Sequence, residues 1–418
     1  MISNELSESQ PIARETLSYN PSGTIAQIQS VFAKDRRGTL DQEVLSYTYD
    51  QIDRLISASN EGAFSYDLMG NFLQRAGSFN ELNQLMEDSE FSYTYTTNGE
   101  LSRKVSKISG ESVDYAWSVD GLLKSALVKT STAETRYLVE FKYDGLGRRV
   151  QKSVNGVITR FFYDGEDIIA ELDSEGNIEA MYLHGPGIDE PLAMARDINH
   201  NGEFEDSELF IFARNHLGSV MALVDSTGKI AQRYVYSAYG KTKVLKTHEG
   251  AAFIKNPYAY TSRELDEETG DYFYRARYYN PNTGRFLSED PIGFRGGDTN
   301  LYRYVSNKPV TLTDPMGLAP FPFDEGASTP EDRCLTNVAT FASTNCATEI
   351  ANASSAAQCA TGFCAASLLI PGAGLGGFAL CAQVGGVVVG STYGVEAYQC
   401  IVDQADKANN TQSCKDAN

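Results

Sequence analysis

The chain has 418 residues, enough for two or three domains or one elongated one, because single cores rarely grow past about 250 to 300 residues. Acidic side chains outnumber basic ones 55 to 35, a net charge of −20, so the molecule as a whole repels phosphate backbones and no nucleic-acid partner is expected. The 24 tyrosines, 20 phenylalanines and 36 glycines, against one tryptophan, point to aromatic-faced strands punctuated by turns, a mainly β protein. The opening MISNELSESQPIARETLSYN has no basic stretch followed by an apolar one. Export is therefore expected by a route other than a Sec-type signal, or with a leader from missing upstream sequence.

The first half repeats itself. An aromatic followed four residues later by glycine recurs as Tyr19-Asn-Pro-Ser-Gly23, Tyr66-Asp-Leu-Met-Gly70, Tyr95-Thr-Thr-Asn-Gly99, Trp117-Ser-Val-Asp-Gly121 and Tyr143-Asp-Gly-Leu-Gly147. Between copies apolar and polar residues alternate, as in Phe91-Ser-Tyr-Thr-Tyr95, so each unit reads as strand, turn, strand. The aromatic ends a strand with its ring on a neighbouring ring, Asp or Asn supports the turn, and glycine accepts a positive φ. One hairpin cannot bury its own face, so successive hairpins are expected to stack into a continuous β-spiral.

From 138 to 318 the motifs become denser: Tyr143-Asp-Gly-Leu-Gly-Arg-Arg149, Asn215-His-Leu-Gly-Ser219, Tyr236-Ser-Ala-Tyr-Gly240, Tyr272-Phe-Tyr-Arg-Ala-Arg-Tyr-Tyr279, Gly284-Arg-Phe-Leu-Ser-Glu-Asp-Pro-Ile-Gly293, Asn300-Leu-Tyr-Arg-Tyr304 and Asp314-Pro-Met-Gly-Leu318. Over residues 19–318 the sequence resembles the RHS (rearrangement hotspot) or YD-repeat family, with Asn215 standing where that family more often has Asp. The resemblance implies an RHS repeat-associated core, a hollow shell around a variable C-terminal effector, usually a toxin, in secreted bacterial proteins. It yields three segments: a repeat region 1–137, a core 138–318 and a variable domain 319–418. About 300 residues of repeats build only part of such a shell, so a truncated gene, a fragment or a short member is expected.

Asp290-Pro-Ile-Gly293 and Asp314-Pro-Met-Gly317 frame the end of the core. In the resembling proteins this pair accompanies aspartyl self-cleavage after the leucine, here between Leu318 and Ala319. Two carboxylates held close cannot both ionise, so one keeps a proton to donate while the other activates water. Asp290 and Asp314 are the expected pair, Arg285 the residue that orients them, and Asp298 an alternate for either. Read without the resemblance, Asp-Pro-x-Gly is also an ordinary turn.

Residues 197–208, Asp197-Ile-Asn-His-Asn-Gly-Glu-Phe-Glu-Asp-Ser-Glu208, fit D-x-[DN]-x-[DN]-G-x5-E at every specified position. Such a loop offers a calcium ion side-chain oxygens from Asp197, Asn199 and Asn201, the Glu203 carbonyl, Glu205 through water, and bidentate Glu208. The apolar run downstream reads as a strand, which places the loop at a hairpin tip. A polar turn without an ion is the competing reading. The histidines lack zinc-ligand spacing, and no nucleotide fingerprint occurs, so no nucleotide cofactor is expected.

All seven cysteines lie at or after Cys334, and residues 350–395 carry no charge. A small helical, Cys/Gly/Ala-rich domain is expected. Two compatible readings stand for it: a domain stapled by disulfides, and one inserted in a target-cell membrane through its small-residue faces. Residues 319–418 contain no histidine and only Arg333, Lys407 and Lys415 as bases, which excludes a His-dependent nuclease or a Cys-His hydrolase there. The resulting reading is a secreted or cell-surface bacterial protein whose core presents and self-releases an effector in competition or virulence, with an immunity protein as partner. The alternative is a non-enzymatic surface adhesion or structural β-repeat protein with an anchoring tail.

Overall fold

The computed structural model describes residues 2–5, 11–33, 40–73, 76–246, 253–318, 320–322, 363–368 and 378–383. One antiparallel sheet of sixteen strands runs from Ser78–Phe79 to Thr242–Lys246, each strand bonded to its neighbour in the chain. A six-stranded sheet, Ile2–Glu5 through Gly62–Ala63, precedes it and obeys the same order. The mainly β spiral of stacked hairpins expected from the repeats is therefore present. Strand Thr135–Tyr143 crosses the 137/138 boundary without interruption, so repeat region and core share one sheet.

The repeat unit explains the winding. In the 143–147 copy, Asp144 Oδ1 accepts the N–H groups of Leu146 and Arg148 at 2.9 and 3.0 Å, and Gly147 N donates to Asp144 O at 3.1 Å with φ +81°. The aromatic sits at a register shift in each of the pairings that contain Tyr19, Tyr49, Trp117, Tyr143 and Tyr163. An extra residue on one strand raises local twist, so the bulge recurs with the turn and keeps the ribbon coiling. The rings act less by stacking on each other than by donating hydrogen bonds. Tyr143 Oη reaches Leu123 O at 2.8 Å, Tyr163 Oη reaches Arg149 O at 2.9 Å and Trp117 Nε1 reaches Leu101 O at 2.8 Å, each pinning a strand's end to the preceding strand's start.

A short four-stranded sheet, Glu264–Asp266, Asp271–Tyr274, Arg277–Asn280 and Arg285–Phe286, packs against the large one. Phe273, Tyr278 and Leu287 share a core with Leu101, Tyr115, Val139 and Phe141, and Tyr272, Tyr274, Tyr279 and Tyr304 are wholly buried together. The small sheet is also held by charge. Arg149, from the large sheet, bonds Glu264 at 2.5 Å and Asp266 at 2.7 and 2.9 Å, with its guanidinium among the rings of Phe141, Phe161 and Phe273. Burial by itself would depress this guanidinium, but Asp266, Tyr278 and Glu264 hold it firmly charged.

Beyond Leu318 the chain pairs once more: Phe321–Pro322 lies antiparallel to Leu312–Thr313. The expected helical domain falls almost wholly outside the described residues. Its two described segments, Phe363–Leu368 and Phe378–Gln383, form an antiparallel strand pair instead of helices. No helix among the described residues is long and apolar enough to cross a membrane. The expected disulfides and membrane-inserting faces lie on side chains outside the described residues.

Candidate active site

Asp290 and Asp314 meet on one nitrogen. Arg277 Nη2 lies 3.1 Å from Asp290 Oδ2 and 3.3 Å from Asp314 Oδ2, with Arg277 and Asp314 buried and Asp290 partly so. Each aspartate is set by its own turn: Ile292 N donates to Asp290 Oδ1 at 3.0 Å, and Leu318 N donates to Asp314 Oδ1 at 2.9 Å. The second bond brings the predicted cleavage residue directly onto one carboxylate. On the other side, the Leu318 carbonyl oxygen and Asp290 Oδ2 flank the same point above Gly296, each 2.8 Å from where a Cβ on that glycine would stand. A side chain at 296 would block the approach of these two oxygens.

The loop between Asp314 and Leu318 is clasped by the hairpin turn that follows strand Asp271–Tyr274. Arg275 Nη1 donates to Pro315 O at 2.6 Å, Ala276 N to Met316 O at 3.2 Å, and Arg277 Nε to Gly317 O. Gly317 has φ +68°, and a Cβ there would fall 2.3 Å from Tyr274 O, so only glycine fits this close approach. A cavity with room for a single water, about 10 Å³, is lined by Arg277, Asp290, Gly296, Asp314 and Leu318 among others. A cleft of about 850 Å³ opens beside it, with Asp290, Met316 and Leu318 in its wall.

Electrostatics separate the groups. Burial pushes the Asp290 carboxyl above the usual range, with Asp298 adding to the rise and Arg277 pulling it back. Burial likewise depresses Arg277, against the pull of Asp290 and Asp314. The site thus contains one carboxyl raised by burial and a second acidic group that shares one cation with it.

Two expectations need correction. Arg285 does not orient the pair: its Nη1 donates to Asn71 Oδ1 at 2.8 Å, its Nη2 to Asn83 O, and its guanidinium lies over Phe79 and Tyr302. Arg285 pairs with Asn280 in the small sheet, and its side chain, depressed by burial to about 10, ties that sheet to residues 71–83. The orienting cation is Arg277, eight residues earlier, which belongs to the quoted 272–279 string but carried no signal of its own. Asp298 lines the same small cavity but is engaged as the bidentate partner of Arg303, both contacts at 2.7 Å, and influences Asp290 by charge.

The 197–208 loop joins the paired strands Pro191–Arg196 and Leu209–Arg214, a hairpin tip as expected. Asp197 and Glu208 are buried, and among the described residues neither has a cationic partner. Their oxygens collect backbone N–H groups instead: Gly202 N on Asp197 Oδ2 at 2.8 Å, Ile198 N on Glu208 Oε1 at 2.7 Å. Among the described residues no three His, Cys, Asp or Glu side chains converge as a metal site. The donor set is hard oxygen throughout, which suits calcium chemically. In this arrangement, however, Asn199 and Asn201 turn their amide nitrogens toward Glu205 Oε1, at 3.3 and 3.4 Å, and Glu203 N–H bonds Asn201 Oδ1.

The family model of the teneurin YD-shell matches residues 6–310. The tRNA nuclease WapA of Bacillus subtilis is 32% identical over 282 residues, 66% of this chain and 11% of that protein. The double-stranded DNA deaminase toxin A of Burkholderia cenocepacia is 28% identical over 303 residues, 65% of this chain and 21% of that protein. The crystal structure of TcdB2-TccC3-Cdc42 superposes with a TM-score of 0.51 at 22% identity, covering 75% of this chain and 17% of that one, a likeness of fold. The chain therefore spans only about a tenth to a fifth of the length of these relatives. Strand order, the bulge-and-turn repeat and the extent of the match together show that the chain belongs to the teneurin YD-shell family of RHS/YD-repeat proteins.

Proposed function

We propose that this chain is an RHS-type core that cuts itself after Leu318 and so frees a C-terminal effector for bacterial competition or virulence. One observation carries the reading: two aspartates share Arg277 Nη2, the N–H of Leu318 bonds Asp314, and the Leu318 carbonyl oxygen and Asp290 Oδ2 both stand 2.8 Å from where a Cβ on Gly296 would lie. Asp290, whose carboxyl burial raises above its usual range, is assigned the acid role and polarises the Leu318 carbonyl. Asp314 takes a proton from the attacking water, whose oxygen bonds to the Leu318 carbon. The bond to the nitrogen of Ala319 then breaks, and that nitrogen leaves as a new α-amine with the proton Asp314 took from the water, which restores Asp314. Arg277 keeps the remaining negative charge of the pair stable throughout.

Relatives named as a tRNA nuclease and a DNA deaminase toxin support a toxin-delivering role without fixing the cargo of this chain. Export from a bacterium, an immunity protein as partner, and a Cys-rich tail that meets a target membrane complete the proposal. Mass spectrometry of the expressed full chain is expected to find a fragment beginning at Ala319, absent from Asp314→Asn. A wild-type chain that stays whole would favour the structural or adhesive reading.

The 197–208 loop is proposed to bind one Ca²⁺ as a clip on its hairpin, through Asp197, Asn199, Asn201, Glu203, Glu205 and Glu208. Two buried carboxylates with no cationic partner among the described residues, in a loop of calcium-binding spacing, support it. Calcium at a hundredfold excess over its dissociation constant should stabilise the protein by about 2.7 kcal/mol. The rise in melting temperature should vanish in Glu208→Gln. Identical melting of wild type with and without calcium would remove the ion.

A further inference from the structure

Three consecutive residues, the two of a hairpin turn and the first of the strand after it, hold three consecutive carbonyls of the cleavage loop: Arg275 on Pro315, Ala276 on Met316, Arg277 on Gly317. The last two are adjacent to the chemistry, but the first is not. Arg275 touches neither Asp290 nor Asp314. Its guanidinium is instead built into a second charged cluster behind the loop. Nη2 lies 2.9 Å from Asp189 Oδ1, Nε lies 3.4 Å from Glu166 Oε2, and Asp189 is held in turn by Arg263 Nη1 at 2.5 Å. Arg275 also sits in the left-handed region, φ +55°, where a non-glycine residue is costly and persists when its surroundings demand it. Pro315 has no N–H, so its carbonyl is the only backbone polar group by which that residue can be gripped.

We propose that Arg275 is a positioning residue of the self-cleavage site. It anchors the Asp314-Pro-Met-Gly-Leu318 loop through the Pro315 carbonyl, so that the Leu318 peptide is presented to the aspartate pair. This inference rests on the cleavage reading and adds to it a residue outside the proton-transferring group. The Asp189 and Glu166 carboxylates supply the fixed end of the clamp. Loss of the anchor lets the loop drift, and a displacement of about 1 Å at a reacting carbonyl costs on the order of a hundredfold in rate.

The full chain would be made by cell-free synthesis, and the cut fraction followed over time between pH 4 and 9. Arg275→Gln is expected to cleave about 10- to 100-fold more slowly at every pH, with the pH midpoint of wild type. Arg275→Lys should recover part of the loss, because one ammonium can reach Pro315 O but cannot hold Asp189 as well. Melting is compared in the uncleavable Asp314→Asn background, where adding Arg275→Gln should leave the transition within a few degrees. A wild-type rate in Arg275→Gln would overturn the inference, as would a loss of rate fully matched by a collapse in melting. A wild-type chain that never cleaves would instead bring down the cleavage reading itself, and this inference with it.

Discussion

Arg149→Met is expected to destabilise the fold by about 3–5 kcal/mol, read as a lowered denaturant midpoint at an unchanged slope. The guanidinium is 2% exposed and answers two carboxylates that are themselves buried, Glu264 and Asp266. Methionine fills the aromatic slot between Phe141, Phe161 and Phe273 but leaves those carboxylates inside a low-dielectric core. Lys152, 2.9 Å from Asp266, would be their nearest compensation. The cost arises from the stranded charge more than from the lost attraction, because desolvating an ion pair consumes most of what the pair returns. The triple variant Arg149→Met, Glu264→Gln, Asp266→Asn should therefore recover much of the loss. If it were no more stable than the single variant, packing around the guanidinium rather than charge would be the governing contribution.

Arg277→Met is expected to slow cleavage by about 10²–10³-fold and to move its alkaline limb to higher pH. The direction follows from Asp290, whose carboxyl is raised by burial and partly restored by Arg277. Cleavage needs this carboxyl protonated, so the rate falls as pH rises through its pKa. Removing the cation raises that pKa further and carries the limb upward. The rate drops because Arg277 also holds the Gly317 carbonyl and stabilises the second carboxylate. A profile measured on the cut fraction that kept the wild-type midpoint would assign the proton to another group. Comparison with Arg275→Gln separates the two arginines, since only one of them touches the aspartates.

What is local in this protein is legible in its residues. Turns of the Asp-x-x-Gly kind, alternation along the strands, the hairpin-tip position of residues 197–208 and the turn of each Asp-Pro-x-Gly element are all set within a few residues, by side-chain hydrogen bonds to the neighbouring backbone and by glycine's freedom at positive φ. Strictly sequential pairing followed, because a chain of hairpins that cannot bury their own faces has its next neighbour always at hand. Which of two nearby arginines served the aspartates was decided only in three dimensions. Arg277 and Arg285 lie on paired strands of one small sheet, and side-chain direction there depends on a hairpin register that places Asn280 opposite Arg285. That register sends Arg285 to Asn71 and Asn83, more than 200 residues upstream, and Arg277 to the loop at 314–318. Contacts over such separations are chosen by burial and by the need to pair a desolvated cation, and neither leaves a mark in local spacing.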